Sequence, residues 1–385
     1  MRTLIWKTVV SLILLLALVL ADQRLRFSRW PSWKLADTLV SLEGRWRPPP
    51  PAIRDIVLVG IDSETVLQMK ERWPYSRATY ASVIRRLKQA GARVIGVDFS
   101  FFGESVASAE DARLRRAILK GQPVVLGAAL AEDGNVAFST LPGLPVESLS
   151  GLVNKVRDPD GVTRRALTYL MGTAQPADAQ RWVFSWELKL LEAGRRVALA
   201  SLEDHGQWLA LNGPDGRWVI PVDPVTKTFP IRFRAHSRDF QRVSFHEVLT
   251  GAFDPALVRD KIVLIGLLSE IFQDIHRTPI GWLPGVTLNA NVFLALYSQD
   301  FLRSVSPLIE LAVLGLGVWL ATLLVCGLAM RPALLGLAML LAGFFAASSL
   351  LLWWGYTWNY ALLPIGVVTI PAAARALIRR GSGNA

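Results

Sequence analysis

The sequence predicts an α/β ectodomain with a mostly parallel sheet, joined to a transmembrane helical bundle of four spans. Three observations predict this. Short apolar strands alternate with amphipathic helices from residue 56 onward. Three long apolar stretches crowd the C-terminal end. Almost all charge lies between those stretches and an apolar N-terminal run.

The C-terminal stretches come first because they fix where the rest must sit. Leu308 to Met330, Ala333 to Trp354 and Tyr360 to Ile378 each approach the ~20 residues needed to cross a ~30 Å hydrocarbon core. From Leu311 to Ala374 the sole formal charge is Arg331. An N-terminal apolar run, Val9 to Ala21, gives a fourth span and puts both chain ends on one side. Arg2, Lys7, Arg331, Arg375, Arg379 and Arg380 then share that side, as the positive-inside rule requires. Trp353, Trp354, Tyr356, Trp358 and Tyr360 cluster at the opposite turn as an interfacial aromatic belt. Val19-Leu20-Ala21 before Asp22 also fits a signal-peptidase site. Retention and cleavage both leave residues 22–306 outside the cytosol, on the periplasmic face of a bacterial inner membrane.

The organisation expected is therefore 1–21 as a span or signal anchor, 22–52 as a juxtamembrane helix and Pro-rich spacer, 53–306 as the extracytoplasmic domain, 307–380 as three spans and 381–385 as a short tail. Trp33, Leu35, Leu39, Val40 and Leu42 have rough helical spacing. Pro48 to Pro51 form a stiff extended spacer. Such a helix could serve as a simple stalk or pack against a second copy in a homodimer.

Within 53–306, Ile56 to Ile61 is a continuous β-branched and apolar run, the mark of a strand buried on both faces. Arg77 to Ala90 reads as a helix with Tyr80, Val83, Ile84 and Leu87 on one face. Val94 to Val97 is a second buried strand, Ala107 to Leu119 a helix and Val124 to Leu130 a third strand. This β-α-β-α-β order predicts a parallel sheet with helices on both faces. Farther on, turns fall at Pro142 to Pro145, Asp158 to Gly161, Asn212 to Gly216 and Pro221 to Pro224. Val183 to Leu191 reads as a helix, and Phe229 to Phe233 and Ile262 to Ile265 as strands.

Composition excludes several function classes. Of 42 Lys and Arg, 36 lie between residues 22 and 306, against 30 of the 31 Asp and Glu, leaving a mild +6 without runs. Nucleic-acid binding would want a basic stripe or arm, and there is none. The single cysteine, Cys326, sits in a span, so the ectodomain has neither a disulfide nor a thiol nucleophile. His205, His236, His246 and His276 lack metal-ligand spacing. No nucleophile elbow, phosphate-binding loop or dinucleotide fingerprint occurs. No metal, no cofactor and no enzymatic activity are expected.

Candidate binding residues remain. Asp62 and Asp98 end two strands expected to be adjacent, where open α/β sheets bind ligands; alternatively each caps a strand-to-helix loop. Asp158-x-Asp160-Gly161 begins like a calcium loop, but Thr163 and Tyr169 stand where Gly and Glu are required. Arg164 and Arg165 after this turn could meet an acidic ligand or form local ion pairs. Asp274, His276, Thr278 and Pro279 follow the Ile262 strand. In the bundle, Glu310 is the one acidic group, about a turn inside the outer interface.

The ordered series Asp55-Ile-Val-Leu-Val-Gly-Ile-Asp62, Arg72-Trp73-Pro74, Gly91-Ala-Arg-Val-Ile-Gly-Val-Asp98, Asp158-Pro-Asp160-Gly161-Val162, Lys261-Ile-Val-Leu-Ile-Gly266, Asp274, Thr278-Pro279 and Pro284-Gly285-Val286 resembles the extracellular sensor domain CHASE2. The likeness runs from about residue 30 to 300. It implies a sensor followed by three spans leading to a cytosolic output such as a kinase or cyclase. Two departures stand out. Asn289 occupies a place where the family often has His, and only 379–385 follow the last span. The resemblance and the residues together lead to the expectation of a receptor that detects an unknown periplasmic ligand, with Asp62, Asp98, Arg164, Arg165, Asp274 and Thr278 as candidate contacts, and relays to a separate cytosolic output protein. The other reading is an envelope structural or assembly protein whose ectodomain binds another protein.

Overall fold

In the computed structural model the chain forms two compact units, Arg47–Phe301 and Met1–Trp46 with Leu302–Ala385. The structure describes residues 2–103, 105, 107–130, 136–137, 141, 143–145, 149–171 and 182–382. Pro142, in one expected turn, and residues 383–385 of the expected tail lie outside them.

The helical unit opens with α1 (Arg2–Leu25) and α2 (Arg29–Trp46). In the α/β unit, β1 (Ile56–Ile61) leads to α3 (Ser63–Gln68) and α4 (Arg77–Gln89), then β2 (Val94–Val97), α5 (Ser108–Leu119) and β3 (Val124–Leu130). Short strands follow: β4 (Val136–Ala137), β5 (Ser150–Leu152), β6 (Val156–Arg157), β7 (Thr163–Leu167), β8 (Tyr169–Met171) and β9 (Trp182–Phe184). After α6 (Trp186–Ala193) come β10 (Ala198–Asp204), β11 (Trp208–Gly213), β12 (Gly216–Pro221), β13 (Thr228–Pro230) and β14 (Gln241–Ser244). The unit closes with α7 (Phe245–Thr250), β15 (Ile262–Leu267), β16 (Ile275–Thr278), β17 (Gly281–Pro284) and α8 (Gly285–Tyr297).

The main sheet has the order β14-β1-β15-β2-β3, with β5 parallel to β3 and β4 antiparallel to it. All other neighbours are parallel. The expected parallel sheet is present. β1 and β2, however, are not neighbours, because β15 inserts between them and pairs with both. A strand arriving about two hundred residues after β1 leaves no local trace of that insertion.

Strand alternation divides the core into two layers. Val57, Val59, Ile61, Ile95, Val97, Val124, Leu126, Val263 and Ile265 pack with α4, α5 and α7 through Tyr80, Ile84, Leu87, Leu114, Ile118 and Phe245. The opposite positions face α6 and α8. There α6 approaches closely because Gly96 and Gly151 carry no Cβ; one added to Gly151 would lie 2.5 Å from the Trp186 backbone. The Trp186 indole donates to the Val125 carbonyl at 3.2 Å. Helix α8 is apolar on nearly every side and buried from Gly285 to Leu296, as a helix without a polar face must be.

Three expected elements differ. The stretch Val183 to Leu191 is a strand end, a Ser185 cap and then α6. Phe229 to Phe233 is ladder-bonded only at Thr228–Pro230. The β10-β11-β12 meander was not expected.

The helical unit is completed by β18 (Arg303–Ser304), α9 (Pro307–Gly327), α10 (Met330–Trp353), β19 (Tyr356–Thr357) and α11 (Leu362–Ser382). Leu15 of α1 packs with Leu314, Val318 and Val367 of α9 and α11. The Ser11 hydroxyl donates to Thr322 Oγ1 at 3.0 Å, and the Trp319 indole to Thr8 Oγ1 at 3.3 Å. Among the described residues, three helices are long and apolar enough to cross a membrane: Ile5–Leu25, Pro307–Gly327 and Met330–Trp353. The apolar part of α11, Leu362–Leu377, falls short of that length, so three of the four expected spans meet it. Leu12, Ile13, Leu16, Leu335, Met339 and Leu350 are exposed on these helices.

Candidate functional site

The carboxyl end of β2 delivers Asp98 to the α6/α8 layer. Its backbone N–H donates to the Ile265 carbonyl at 2.9 Å, continuing the ladder one residue past the strand. Gly266 on the neighbouring strand makes the approach possible. A Cβ there would lie 2.5 Å from Val286 and 3.3 Å from Asp98 Cβ.

From α8, Asn289 reaches this carboxylate. Its Nδ2 donates to Asp98 Oδ1 at 2.6 Å, and its Oδ1 accepts from the Lys155 ammonium. Lys155 also donates to the Val153 carbonyl at 2.9 Å. Asn289 is 1% exposed, so this amide has no water to fall back on. Glu187, in the first turn of α6, is buried near the same lysine and aspartate. Burial pushes the Asp98 carboxyl up to about 7; Lys155 and the Asn289 hydrogen bond pull it down, while Asp274 pushes it farther up. Burial likewise pushes Glu187 up to about 7, against the pull of Lys155 and with a push from Asp98. One ammonium thus serves several acidic groups in a poorly solvated space.

Asp274 joins from the loop before β16. Its carbonyl accepts from the Gly285 N–H at 2.9 Å, at the start of α8. A Cβ on Gly285 would lie 2.2 Å from Asp274 Oδ2, so only glycine permits this approach. Burial raises the Asp274 carboxyl, but the 2.8 Å hydrogen bond with His276 Nε2 and the Lys155 charge leave it below the usual range. Arg157 Nη2 lies 3.5 Å from His276 Nδ1 on the far side of the ring.

Asp98 and Asp274 are therefore brought into one electrostatically coupled cluster. Asp62 belongs elsewhere. Its Oδ1 caps α3, accepting from the Thr65 N–H and hydroxyl at 2.8 Å each and from Ser244 Oγ at 3.0 Å. Arg164 donates to Asp158 and Asp160 at 2.8–2.9 Å, and Arg165 to Asp158 at 2.6 Å. These bonds lock the Asp158–Gly161 turn onto β7. Thr278 Oγ1 donates to the Gly281 carbonyl at 2.7 Å and closes the β16-β17 hairpin. Among the described residues, no group of three or more His, Cys, Asp or Glu is placed to hold a metal ion.

Helix α8 carries a second buried amide. Asn291 Oδ1 accepts from the N–H groups of Arg234 and Ala235 at 3.0 and 3.1 Å, and its Nδ2 donates to the carbonyls of Ala235 and Thr287. Beyond the helix, Asp300 accepts from buried Arg232 at 2.6 Å and from buried Arg234 at 2.9 Å. Arg234 Nη2 also donates to the Pro48 carbonyl at 2.5 Å. One guanidinium thereby ties together the two ends of the α/β unit.

The CHASE2 domain family model matches residues 10–329, most of the chain. This chain belongs to the CHASE2 domain family. Comparison with curated proteins and with solved structures returned no significant match. CHASE2 is a sensor domain family, which accords with a sensory role, and its place here beside long apolar helices accords with membrane association. In this CHASE2 chain the position of the expected imidazole, Asn289, is a neutral amide that still bridges Asp98 and Lys155. Lys155 and Glu187 escaped sequence reasoning. The available signal for Glu187 was a single carboxylate in the first turn of an otherwise apolar helix start; Lys155 gave none.

Proposed function

We propose that this chain is a membrane-embedded CHASE2 receptor. Its α/β unit lies on the extracytoplasmic side of a bacterial inner membrane, detects a signal there, and relays it through four spans, α1, α9, α10 and α11, to a separate cytosolic output protein. The arrangement of Arg331 and Arg375 against the aromatic turn supports this orientation. The hydrogen bonds of α1 to α9 support its retention as a span.

One observation carries the sensory reading. A single buried helix, α8, begins on the Asp98–Lys155–Glu187 cluster and ends next to Asp300, where the chain leaves the α/β unit. A ligand or protonation change that favours one arrangement of the cluster over another shifts the population of α8 positions by that preference. The Arg234 tie then connects such a shift to both chain exits.

The test uses the full-length protein in its native membrane. Protease added outside intact spheroplasts should cut within 47–301, and gentle solubilisation should co-purify a cytosolic protein with a catalytic output domain. Cleavage only in inside-out vesicles would refute the orientation. Co-purification of envelope assembly proteins alone would favour the scaffold reading.

A further inference from the structure

A groove of about 710 Å³ lies between α4 and α5, in the helical layer on the opposite side of the sheet from Asp98. Its walls carry Arg85 and Lys88 from α4, Arg113 and Arg116 from α5, and Lys120 just beyond α5; none of the lining residues is acidic. The whole α/β unit has 30 Lys and Arg against 27 Asp and Glu, so this one groove gathers more positive charge than the unit's net +3. Each helix contributes two cations three residues apart, which places them side by side on one face. Like-charged neighbours at that spacing weaken a helix, and folding alone gives no reason to line up two such pairs. The two carboxylates of α5 are engaged elsewhere, Asp111 by Arg77 and Glu110 by the Ser105 hydroxyl at 2.9 Å. Ala78, Ala81 and Ala117 keep the space between the walls open. The volume lies within the range of small-molecule sites.

We propose that the α4/α5 groove binds a small, multiply charged anion, one bearing several phosphate or carboxylate groups, and is a ligand site of its own. Charges from two helices converge on one space, so a ligand with several negative groups engages both walls where a single phosphate engages one. Lys88 adds a distinctive feature. Its ammonium donates to the Ile118 and Lys120 carbonyls at 2.9 and 2.7 Å, and burial lowers it to about 8. A bound anion favours its charged form, so binding above that pH takes up a proton.

The test is calorimetric titration of tripolyphosphate, with orthophosphate for comparison, into full-length protein in nanodiscs of neutral lipid. Tripolyphosphate should bind and orthophosphate should be at least about tenfold weaker. Raising salt from about 0.01 M to about 0.1 M shortens the screening length from about 30 Å to about 10 Å and should weaken binding. Arg85→Gln with Arg116→Gln, one change per wall, should weaken it about tenfold or more, while Arg238→Gln, a control in the exposed turn before β14, should not. At pH 8.5 the binding enthalpy should depend on the buffer in the wild type and lose that dependence in Lys88→Met. No binding to the wild type, equal affinity for orthophosphate, or undiminished binding by the double variant would overturn the proposal. None of these results bears on membrane orientation, so failure here is distinguishable from failure of the receptor reading.

Discussion

Replacing Asp98 by Asn should change how stability depends on pH, and the size of the change follows from the site. Asn keeps an oxygen to accept from Asn289 Nδ2 but cannot ionise. In the wild type the carboxyl sits at about 7 when folded, against its ordinary 3.8. The folded value is raised, so between these limits the folded state holds a proton that the unfolded state has released. Stability is therefore lost as pH rises, at ~1.4 kcal/mol per unit, and the loss levels off above the folded value. From pH 5 to pH 8 this amounts to ~2.5 kcal/mol for Asp98. Glu187, also raised to about 7, acts in the same direction. The two share Lys155 and titrate as a coupled pair, so their losses are not simply additive. At roughly 2–4 °C per kcal/mol for a unit of this size, the margin by which Asp98→Asn melts above the wild type should widen by roughly 5–10 °C between pH 5 and pH 8. Tryptophan fluorescence melts of nanodisc-embedded protein measure it. Parallel wild-type and variant curves across that range would refute the claim that Asp98 is protonated in the folded state near neutrality.

Other substitutions separate cap, packing and tie. Asp62→Ala should cost ~1 kcal/mol, the loss of one helix cap, as read by denaturant titration. Gly151→Ala should destabilise by ~3 kcal/mol, because its Cβ would meet the Trp186 backbone, which cannot swing away. Gly60→Ala should cost less in the same titration, because the obstructing atoms belong to the Leu268 side chain. Arg234→Met removes one partner of a buried ion pair and should cost ~3–5 kcal/mol. Hydrogen exchange at 47–55 and 298–301 should rise with it, and unchanged exchange there would argue against the tie.

The sheet was legible because its strands are buried on both faces. Ile56–Ile61, Val94–Val97, Val124–Leu130 and Ile262–Ile265 are runs in which every side chain must be apolar, and local composition suffices to find them. Helix α4 announces itself by its apolar stripe and by Ser76, whose side chain caps it. Strand order was not legible, because β15 enters between β1 and β2 through long-range pairing. The meander 198–221 was missed because its strands are half exposed and mix Ser, Glu and Asp among apolar residues. At the site, Asp98 and Asp274 were visible at strand ends or in motifs. Lys155 stands in a loop between two short strands, where a lone lysine normally marks a solvated surface.

Why a charge change at Asp98 must be felt at the far end of α8 follows from what surrounds that helix. An exposed helix could answer a mismatch at Asn289 with water. Here Asn289 and Asn291 are 1% and 0% exposed. If Asp98 gains a proton, Asn289 must find a new balance between that group and Lys155, and little solvent reaches the buried amide to absorb the difference. Ala290, the one residue between the two amides, is buried together with Leu288 and Val292 on either side, and such close packing shifts as a body more readily than it deforms. Two residues on, Asn291 holds the backbone of Arg234 and Ala235 through both its oxygen and its nitrogen. Arg234 in turn grips Asp300 and Pro48. The links from the carboxyl to the chain exits are thus a packed helix and hydrogen bonds between buried and half-buried groups, so the route has few places where a displacement can dissipate. Asn291→Leu, similar in volume but unable to hold the 234–235 backbone, should cut that route. The Asp98→Asn pH effect on melting should persist in this background, while any pH-dependent change in hydrogen exchange at 298–301 disappears.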